Sequence, residues 1–327
     1  MKVCIYGAGA IGGFIGARLA AAGQAEVSAV ARGATLAALR EHGWRLREGG
    51  SLRQAKLARA GAPAEVGPQD VVVVAVKGTA LADVATSMAP LLAPHTIVLP
   101  AMNGVPWWFL QSMPQIGDAP LESVDPGGRI AAGLPLSHVV GCVVHASTWT
   151  SEPGLVEHRN GNGLIVGEPR GGASARVDEL AALLRAAGFE ARASDRIRHD
   201  IWYKLWGNMT VNPVSALTGA TVDRIMADPL VVAFCTRAML EAGEVGARIG
   251  CAIDQRPDDR HAITRSLGRF RTSMQQDVEA ERPIELDALV TVVREIGQRV
   301  GVATPNIDTL LGLTRLFGRV RGLYPEA

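Results

Sequence analysis

The sequence lacks the signals that mark a metalloprotein, a disulfide-stapled secreted domain or a nucleic-acid binder. Its 327 residues hold four cysteines, Cys4, Cys142, Cys235 and Cys251. These lie too far apart for a CxxC metal or redox motif and are too few for a disulfide framework in a chain this long, a usage that suits a reducing cytoplasm. None of the seven histidines forms an HExxH or a paired Cys/His pattern, so no metal is expected, and there is neither a GxSxG nucleophile elbow nor a P-loop. Charge of one sign is not in excess. The 33 basic and 32 acidic side chains leave a formal net charge of +1, and no stripe of Lys and Arg with interleaved aromatics is present to follow a phosphate backbone, which disfavours nucleic acid as a partner. Internal repeats and low-complexity tracts are missing too.

Long uninterrupted hydrophobic runs are also scarce. Residues 3–17 follow Lys2 without a charge and lead into Ala20-Ala21-Ala22, but glycines from Gly7 to Gly16 make a poor apolar core for a signal peptide. The uncharged run from Thr96 to Gly117 contains Pro100, Asn103, Pro106 and Pro114, so one continuous helix in lipid is excluded and a strand end with a loop is expected. What is present is 48% hydrophobic residues, 37 glycines and only 20% charged side chains, the make-up of a compact Ala/Gly-rich globule. The length suggests two domains.

The first half alternates strand and helix signals. Val3 to Tyr6 reads as a strand entering a glycine turn, and Ile11 to Ala22 as a helix. Glu26 to Ala31, Asp70 to Val76 and Thr96 to Leu99 read as further strands, with helices over Thr35 to His42 and Leu81 to Leu92. The nearly all-valine run suits a strand covered on both faces. This alternation predicts an α/β fold: an N-terminal doubly wound, Rossmann-type parallel sheet with its ligand site at the carboxyl ends of the strands. From Gly141 to Val166 antiparallel strands are expected, with turns at Glu152-Pro153-Gly154 and Asn160-Gly161, followed by a helix from Val177 to Ala187. Helical periodicity over Asp200 to Asn212, Val231 to Gly246 and Leu286 to Val300 then predicts a mainly α-helical C-terminal domain. The boundary is placed between residues 1–195 and 196–327.

Gly7-Ala8-Gly9-Ala10-Ile11-Gly12 is GxGxxG directly after a strand and opening a helix, the context in which backbone N–H groups and a helix N-terminus receive a pyrophosphate. The second strand ends Val30-Ala31-Arg32-Gly33, with no Asp or Glu to accept ribose hydroxyls. Arg32 suits the 2′-phosphate of NADP(H); the plainer alternative is a solvated surface arginine. Lys77 closes the valine strand, either reaching the cofactor phosphates or ribose or simply solvated. In Trp202-Tyr203-Lys204-Leu205-Trp206-Gly207-Asn208-Met209-Thr210-Val211-Asn212-Pro213, the residues Lys204, Asn208 and Asn212 are spaced i, i+4, i+8 on one helix face. The rest of that helix is strongly apolar, which favours a cleft-lining stripe over a face in open water. Asn212 before Pro213 is expected to end the helix.

Taken with Asn103-Gly104-Val105 and the late segment from Ser273 through Asp277 and Arg282 to Glu285, these motifs occur in an order and spacing that resembles the ketopantoate reductases (2-dehydropantoate 2-reductases) over most of the chain. The resemblance implies a Rossmann domain joined to a helical domain, with the active site in the cleft between them. It implies that Gly7, Ala8, Gly9, Ala10, Ile11, Gly12, Arg32, Lys77 and Glu285 contact NADP(H), that Asn103 touches both nicotinamide and substrate, and that Ala146 lines the cofactor site. Lys204 is then the proton donor, with Glu285 as its catalytic companion, and Asn208, Asn212 and Ser273 hold a small 2-keto acid. The implied reaction is NADPH-dependent reduction of 2-dehydropantoate to (R)-pantoate in pantothenate and coenzyme A synthesis. Alternatives are the same chemistry on another branched 2-keto acid, or a non-catalytic NADP(H)-binding sensor on the same fold.

Two features depart from the family. The segment between Val105 and Gly141 is long and contains Trp107, Trp108, Pro114, Pro120, Pro126 and Pro135; it either reshapes the entrance or forms a surface or oligomer contact. Val222 stands where some members carry a substrate-contacting Asn. The expected partner is the small-molecule substrate, without nucleic acid or membrane; a homodimer is left open.

Overall fold

The computed structural model describes residues 1–113, 116–117 and 119–326. They form two compact units, Met1–Gln111 with Gly127–Asp200, and Ser112–Pro126 with the chain from Ile201 onwards. Pro114, counted above among the prolines of the long segment, lies outside the described residues.

In chain order the first unit carries β1 (Lys2–Tyr6), α1 (Ala10–Ala22), β2 (Glu26–Val30), α2 (Gly33–His42), β3 (Trp44–Glu48), β4 (Ser51–Ala55), β5 (Ala60–Gly61), α3 (Pro63–Val66), β6 (Val71–Val74), α4 (Leu81–Ser87) and β7 (Ile97–Pro100). It continues with α5 (Arg129–Gly133), β8 (Gly141–Glu152), β9 (Leu155–Gly167), α6 (Ala175–Ala186) and β10 (Glu190–Ser194). A five-stranded sheet in the order β5-β2-β1-β6-β7 is parallel throughout, with Val3 opposite both Val27 and Val71. All four valines of β6 are buried, as a central parallel strand covered on both faces requires. The reversal of strand order at β1 makes the doubly wound topology expected from the alternation.

A second sheet has the order β10-β9-β3-β4, with β8 antiparallel to β9; the β8–β9 pair is the one expected from Gly141 onwards, whereas β3, β4 and β10 were not expected. Helix α1 packs on both sheets, and its glycines explain how. A Cβ on Gly13 would lie 2.5 Å from Val156 Cγ2, and one on Gly16 would lie 2.6 Å from the buried Trp44 ring and 3.0 Å from Ile5. Only residues without a Cβ let the helix approach β1 on one side and β3 and β9 on the other. Part of the glycine richness that resembles phosphate-loop chemistry is therefore packing.

Glu152-Pro153-Gly154 does turn the chain from β8 into β9, but Asn160-Gly161 is not a turn; it lies inside β9. There Ser147 pairs with Asn160 and His145 with Gly163, so one residue of β8 opposes two of β9 in a bulge, with Gly161 at φ +73°. Trp107 and Trp108 are buried in the first unit and belong to its core. Trp107 donates to the Leu134 carbonyl at 3.4 Å, and a Cβ on Gly141 would sit 2.9 Å from the Trp108 ring.

The second unit is helical: α7 (Ile197–Thr218), which begins in the first unit, then α8 (Val222–Ala227), α9 (Pro229–Arg248), α10 (Pro257–Ser266), α11 (Ser273–Glu279), a π-helical turn at Asp287–Thr291, α12 (Val292–Val300) and α13 (Pro305–Val320). Pro213 does not end α7 as expected; the helix continues to Thr218 with the proline inside it. The lost rung is tolerated because this stretch is held by packing: Met209, Pro213, Val214 and Ala216 are buried.

The described residues of 112–126 were expected in the first domain, yet they pack with the helical unit, and Glu295 shows why. Its carboxylate accepts the Glu122 and Ser123 backbone N–H groups at 2.9 Å each and the Ser123 hydroxyl at 2.5 Å, while Arg299 donates to it and to the Ala119 carbonyl. Burial pushes this carboxyl up, but the Ser123 and Glu122 donors and Arg299 outweigh it and hold it below its ordinary range. Replacing Glu295 by Gln is expected to cost about 2 kcal/mol at pH 7, read by urea denaturation, because charge-assisted hydrogen bonds are lost at a half-buried position. A depressed carboxyl stabilises above its unfolded value and loses that contribution as pH falls through its folded value. The gap between wild type and Glu295→Gln should therefore shrink below the ordinary value of 4.5. A gap constant down to pH 3 would remove the charge from the explanation.

Candidate active site

Because β2, β1, β6 and β7 are parallel neighbours, the residues that follow them emerge along one edge of the sheet. Arg32 follows β2, the glycine turn follows β1, Lys77 follows β6 and Asn103 follows β7, so four positions far apart in sequence form one row three strand spacings long, roughly 14 Å. Ala146 is not on that row; it sits half-buried in β8 of the second sheet, at the bulge opposite Gly161.

The glycine turn is built by close approach. Gly7 has φ +92°, and a Cβ there would meet Val76 Cγ1 at 2.7 Å and the Ala75 carbonyl at 2.9 Å. Its N–H is bonded to the Val30 carbonyl at 3.0 Å, which ties the turn to the neighbouring strand. A Cβ on Gly12 would stand 2.1 Å from the Gly7 carbonyl oxygen. Gly9 differs: it is the exposed N-cap of α1 and has no atom within 4 Å of where its Cβ would be. No side chain caps α1 and no acidic residue stands in its first turn. The open position at Gly9 and the uncapped N–H groups fit a pyrophosphate, which takes hydrogen bonds from the backbone and the positive end of the helix.

Arg32 is exposed and serves as the N-cap of α2 through its backbone, with no side-chain hydrogen bond to the cap. Lys77 is half-buried and begins the short 3-10 turn Gly78–Ala80. Asn103 is half-buried ahead of Gly104, whose φ is +83°.

In the second unit α7 is fixed by its apolar face. Trp202, Leu205, Trp206 and Met209 are buried, and the two indoles donate to the Ala242 and Met239 carbonyls of α9 at 3.2 and 2.6 Å. A Cβ on Gly246 would lie 2.3 Å from Trp202 Nε1, so α9 carries glycine where the indole seats. This clamps the rotation of α7 and places Lys204 and Asn208, both half-buried, and the buried Asn212 in one row on another face.

Ser273 is the exposed first residue of α11, and the structure ties it to the Asn212 end of that row. The Gln275 N–H donates to Thr272 Oγ1 at 3.2 Å, the Thr272 and Ser215 hydroxyls are bonded to each other, and the Ser215 hydroxyl donates to the Asn212 carbonyl at 2.8 Å. Each hydroxyl has one proton to give, so Thr272 donates to Ser215 and the relay is fully satisfied. Ser215 and Thr272 were not singled out from the sequence. Their signals were there: Thr272 is an N-cap type residue before the helix, and Ser215 lies three residues after Asn212. Glu285 is half-buried between the buried Ile284 and Leu286, just before the π-helical turn. Asp287 of that turn accepts from Thr291 at 2.9 Å and from the Tyr324 hydroxyl at 2.6 Å, and the Ile284 N–H donates to the Leu323 carbonyl. Val222 is buried in an apolar cluster with Val211, Val214 and Ile225, away from any polar role.

All four cysteines are buried, and burial pushes the Cys4 thiol up to about 12 and Cys235 to about 11, so neither is a thiolate near neutrality. Among the described residues no group of His, Cys, Asp and Glu could hold a metal ion, and no helix is long and apolar enough to cross a membrane.

The residues match two family models, ketopantoate reductase PanE/ApbA over 3–171 and the ketopantoate reductase PanE/ApbA C terminal over 196–317. A 2-dehydropantoate 2-reductase of Mesorhizobium japonicum is 43% identical, covering 99% of this chain and all of its own length. A crystal structure from Ralstonia solanacearum, provisionally described as a ketopantoate reductase, superposes with a TM-score of 0.92 at 55% identity, covering 98% of this chain and 99% of that one. The 2-dehydropantoate 2-reductase of Methylococcus capsulatus gives 0.84 at 25% identity, covering 98% of both chains. With a parallel nucleotide-type sheet, a separate helical unit bearing a Lys-Asn-Asn row, and similarity along its whole length, the chain belongs to the ketopantoate reductase family.

Proposed function

We propose that the protein reduces 2-dehydropantoate to (R)-pantoate with NADPH, the step that feeds pantothenate and coenzyme A synthesis. The observation that carries this reading is the row of Lys204, Asn208 and Asn212 on α7, with Ser273 tied to its end through Thr272 and Ser215. The row offers one cation and several neutral hydrogen-bonding groups, which suits a small keto acid. The Mesorhizobium japonicum relative, named 2-dehydropantoate 2-reductase, supports the substrate.

The strand-end residues would hold a reduced nicotinamide, which when bound would supply a hydride to the 2-keto carbon. The carbonyl oxygen then carries the negative charge, and Lys204 stabilises it and gives it a proton, leaving a 2-hydroxy acid with its carboxylate unchanged. Asn208, Asn212 and Ser273 orient the keto acid by neutral hydrogen bonds, which fixes geometry without altering the charge at the reacting oxygen. Asn103 serves nicotinamide and substrate together. Gly7 to Gly12 receive the pyrophosphate, Lys77 and Glu285 reach the cofactor, Ala146 lines its site, and Arg32 takes the 2′-phosphate. Glu285 also holds the Lys204 ammonium in place.

A second reading, the same chemistry on another 2-keto acid, is favoured by the apolar surroundings of Val222. D-Mandelate dehydrogenase, solved with NADH and anilino(oxo)acetate, shares the fold with a TM-score of 0.84 at 22% identity. The test is steady-state loss of reduced-nicotinamide absorbance with 2-dehydropantoate, a panel of other 2-keto acids, and NADH in place of NADPH. Efficient turnover of 2-dehydropantoate with NADPH is expected. Turnover of another keto acid alone moves the second reading ahead, and cofactor binding without any turnover favours a non-catalytic role.

A further inference from the structure

Arg260 of α10 is a largely buried cation with no counter-charge. Among the described residues its guanidinium makes no hydrogen bond or ion pair; Nε is fully buried without a partner, and the contact it does make is with the Tyr203 ring, 5.6 Å from Cζ to the centroid. Burial pulls its pKa down from the ordinary arginine value, with Tyr203 opposing. A guanidinium removed from water without an anion is costly. Its neighbours on α10 do not relieve it: Asp259 accepts from the Arg256 backbone N–H at the start of the helix.

The seat under this guanidinium is built. A Cβ on Gly207 would lie 2.6 Å from Arg260 Nε, 2.8 Å from Nη2 and 2.9 Å from Cζ. A glycine inside a helix costs about 0.5–1 kcal/mol relative to alanine, and here it lets the planar group lie flat on α7. The Tyr203 hydroxyl is held by Gln255 Oε1 at 2.7 Å, which fixes the ring on the other side. At 100° per residue Gly207 falls between the rows of Tyr203 and Lys204 and one turn beyond both, so the guanidinium borders the Lys204-Asn208 row. The terminal nitrogens, unlike Nε, are not sealed off.

We propose that Arg260 is a further substrate-binding residue, presenting its terminal nitrogens to the carboxylate of the 2-keto acid. This rests on the reductase reading above. A 2-keto acid brings two demands: a proton for the keto oxygen and a counter-charge for the carboxylate. Lys204 meets the first, the asparagines and Ser273 are neutral, and the fork of Arg260 matches the geometry of the second.

The test compares wild type with Arg260→Gln, Arg260→Lys and Gly207→Ala, using 2-dehydropantoate and its uncharged methyl ester, with NADPH affinity and thermal unfolding as checks on folding. Arg260→Gln is expected to raise KM for the acid on the order of 10- to 100-fold with kcat changed far less, while the ester is nearly unaffected. Arg260→Lys should recover part of the loss, and Gly207→Ala, which displaces the guanidinium without removing it, should raise KM for the acid alone. If Arg260→Gln fails to fold, the other two variants decide. An unchanged KM for the acid, or equal losses for acid and ester, overturns the assignment. If wild type turns over no 2-keto acid, the reductase reading falls by itself and calorimetric titration with 2-dehydropantoate decides Arg260. Binding lost in the variants sustains it, whereas equal binding, or none to wild type, overturns it.

Discussion

Replacing Lys204 by alanine is expected to lower kcat by about two to four orders of magnitude while leaving NADPH affinity within about twofold, because a positioned general acid contributes on that scale. The rotation of α7 is fixed by the buried Trp202 and Trp206 and their hydrogen bonds to α9, so Lys204 is presented by a rigid element. Most of the residues assigned to the cofactor lie in the first unit, so losing the lysine should leave cofactor binding largely undisturbed. Lys204 acts on charge that develops only as the hydride arrives, so kcat and kcat/KM should fall together. A rise in KM with kcat retained would recast Lys204 as a binding group. Unaltered turnover would remove it from the chemistry.

How much of this was legible in the sequence follows from what each signal depends on. The valine run of β6 and the glycine turn are local patterns, and the structure has them where they were read. The Lys204-Asn208-Asn212 row was legible because helical periodicity fixes which residues share a face. Of the second sheet only the antiparallel β8–β9 pair was legible. β4 has four of its five residues exposed, and in β3 Trp44 and Leu46 alternate with Arg45 and Arg47 before Glu48, so its apolar alternation is short and is completed only by partners a hundred residues away in β9. The Asn160-Gly161 pair misled because a glycine at positive φ serves a bulge as well as a turn. Pro213 misled because the rule for residues before proline describes an isolated chain, whereas packing decides here. The attachment of residues 112–126 to the helical unit depends on Glu295 and Arg299, about 170 residues later, and no local pattern announces such a contact. Arg260 was illegible for the same reason: among the described residues its guanidinium makes no hydrogen bond or ion pair, which becomes visible only after folding.

Arg32→Asp is expected to lower kcat/KM with NADPH by about two orders of magnitude, while kcat/KM with NADH changes by less than about threefold. The 2′-phosphate is the group that distinguishes the two cofactors. Beside β2, Arg32 is exposed and no acid occupies the strand end to receive ribose hydroxyls. The substitution removes an attraction and adds a repulsion. At about 4 Å each is worth about 1 kcal/mol per unit charge in water and about 4 kcal/mol at a partly shielded protein surface, so a total near 3 kcal/mol is reasonable. Because Arg32 is exposed, salt must screen the attraction, and NADPH preference in the wild type should weaken as ionic strength rises while NADH turnover stays nearly constant. The salt series needs no variant and so separates charge recognition from damage to the loop. Equal losses with both cofactors in Arg32→Asp, together with a preference insensitive to salt, would show that Arg32 is a solvated surface residue and that discrimination at the ribose lies elsewhere on the strand-end row.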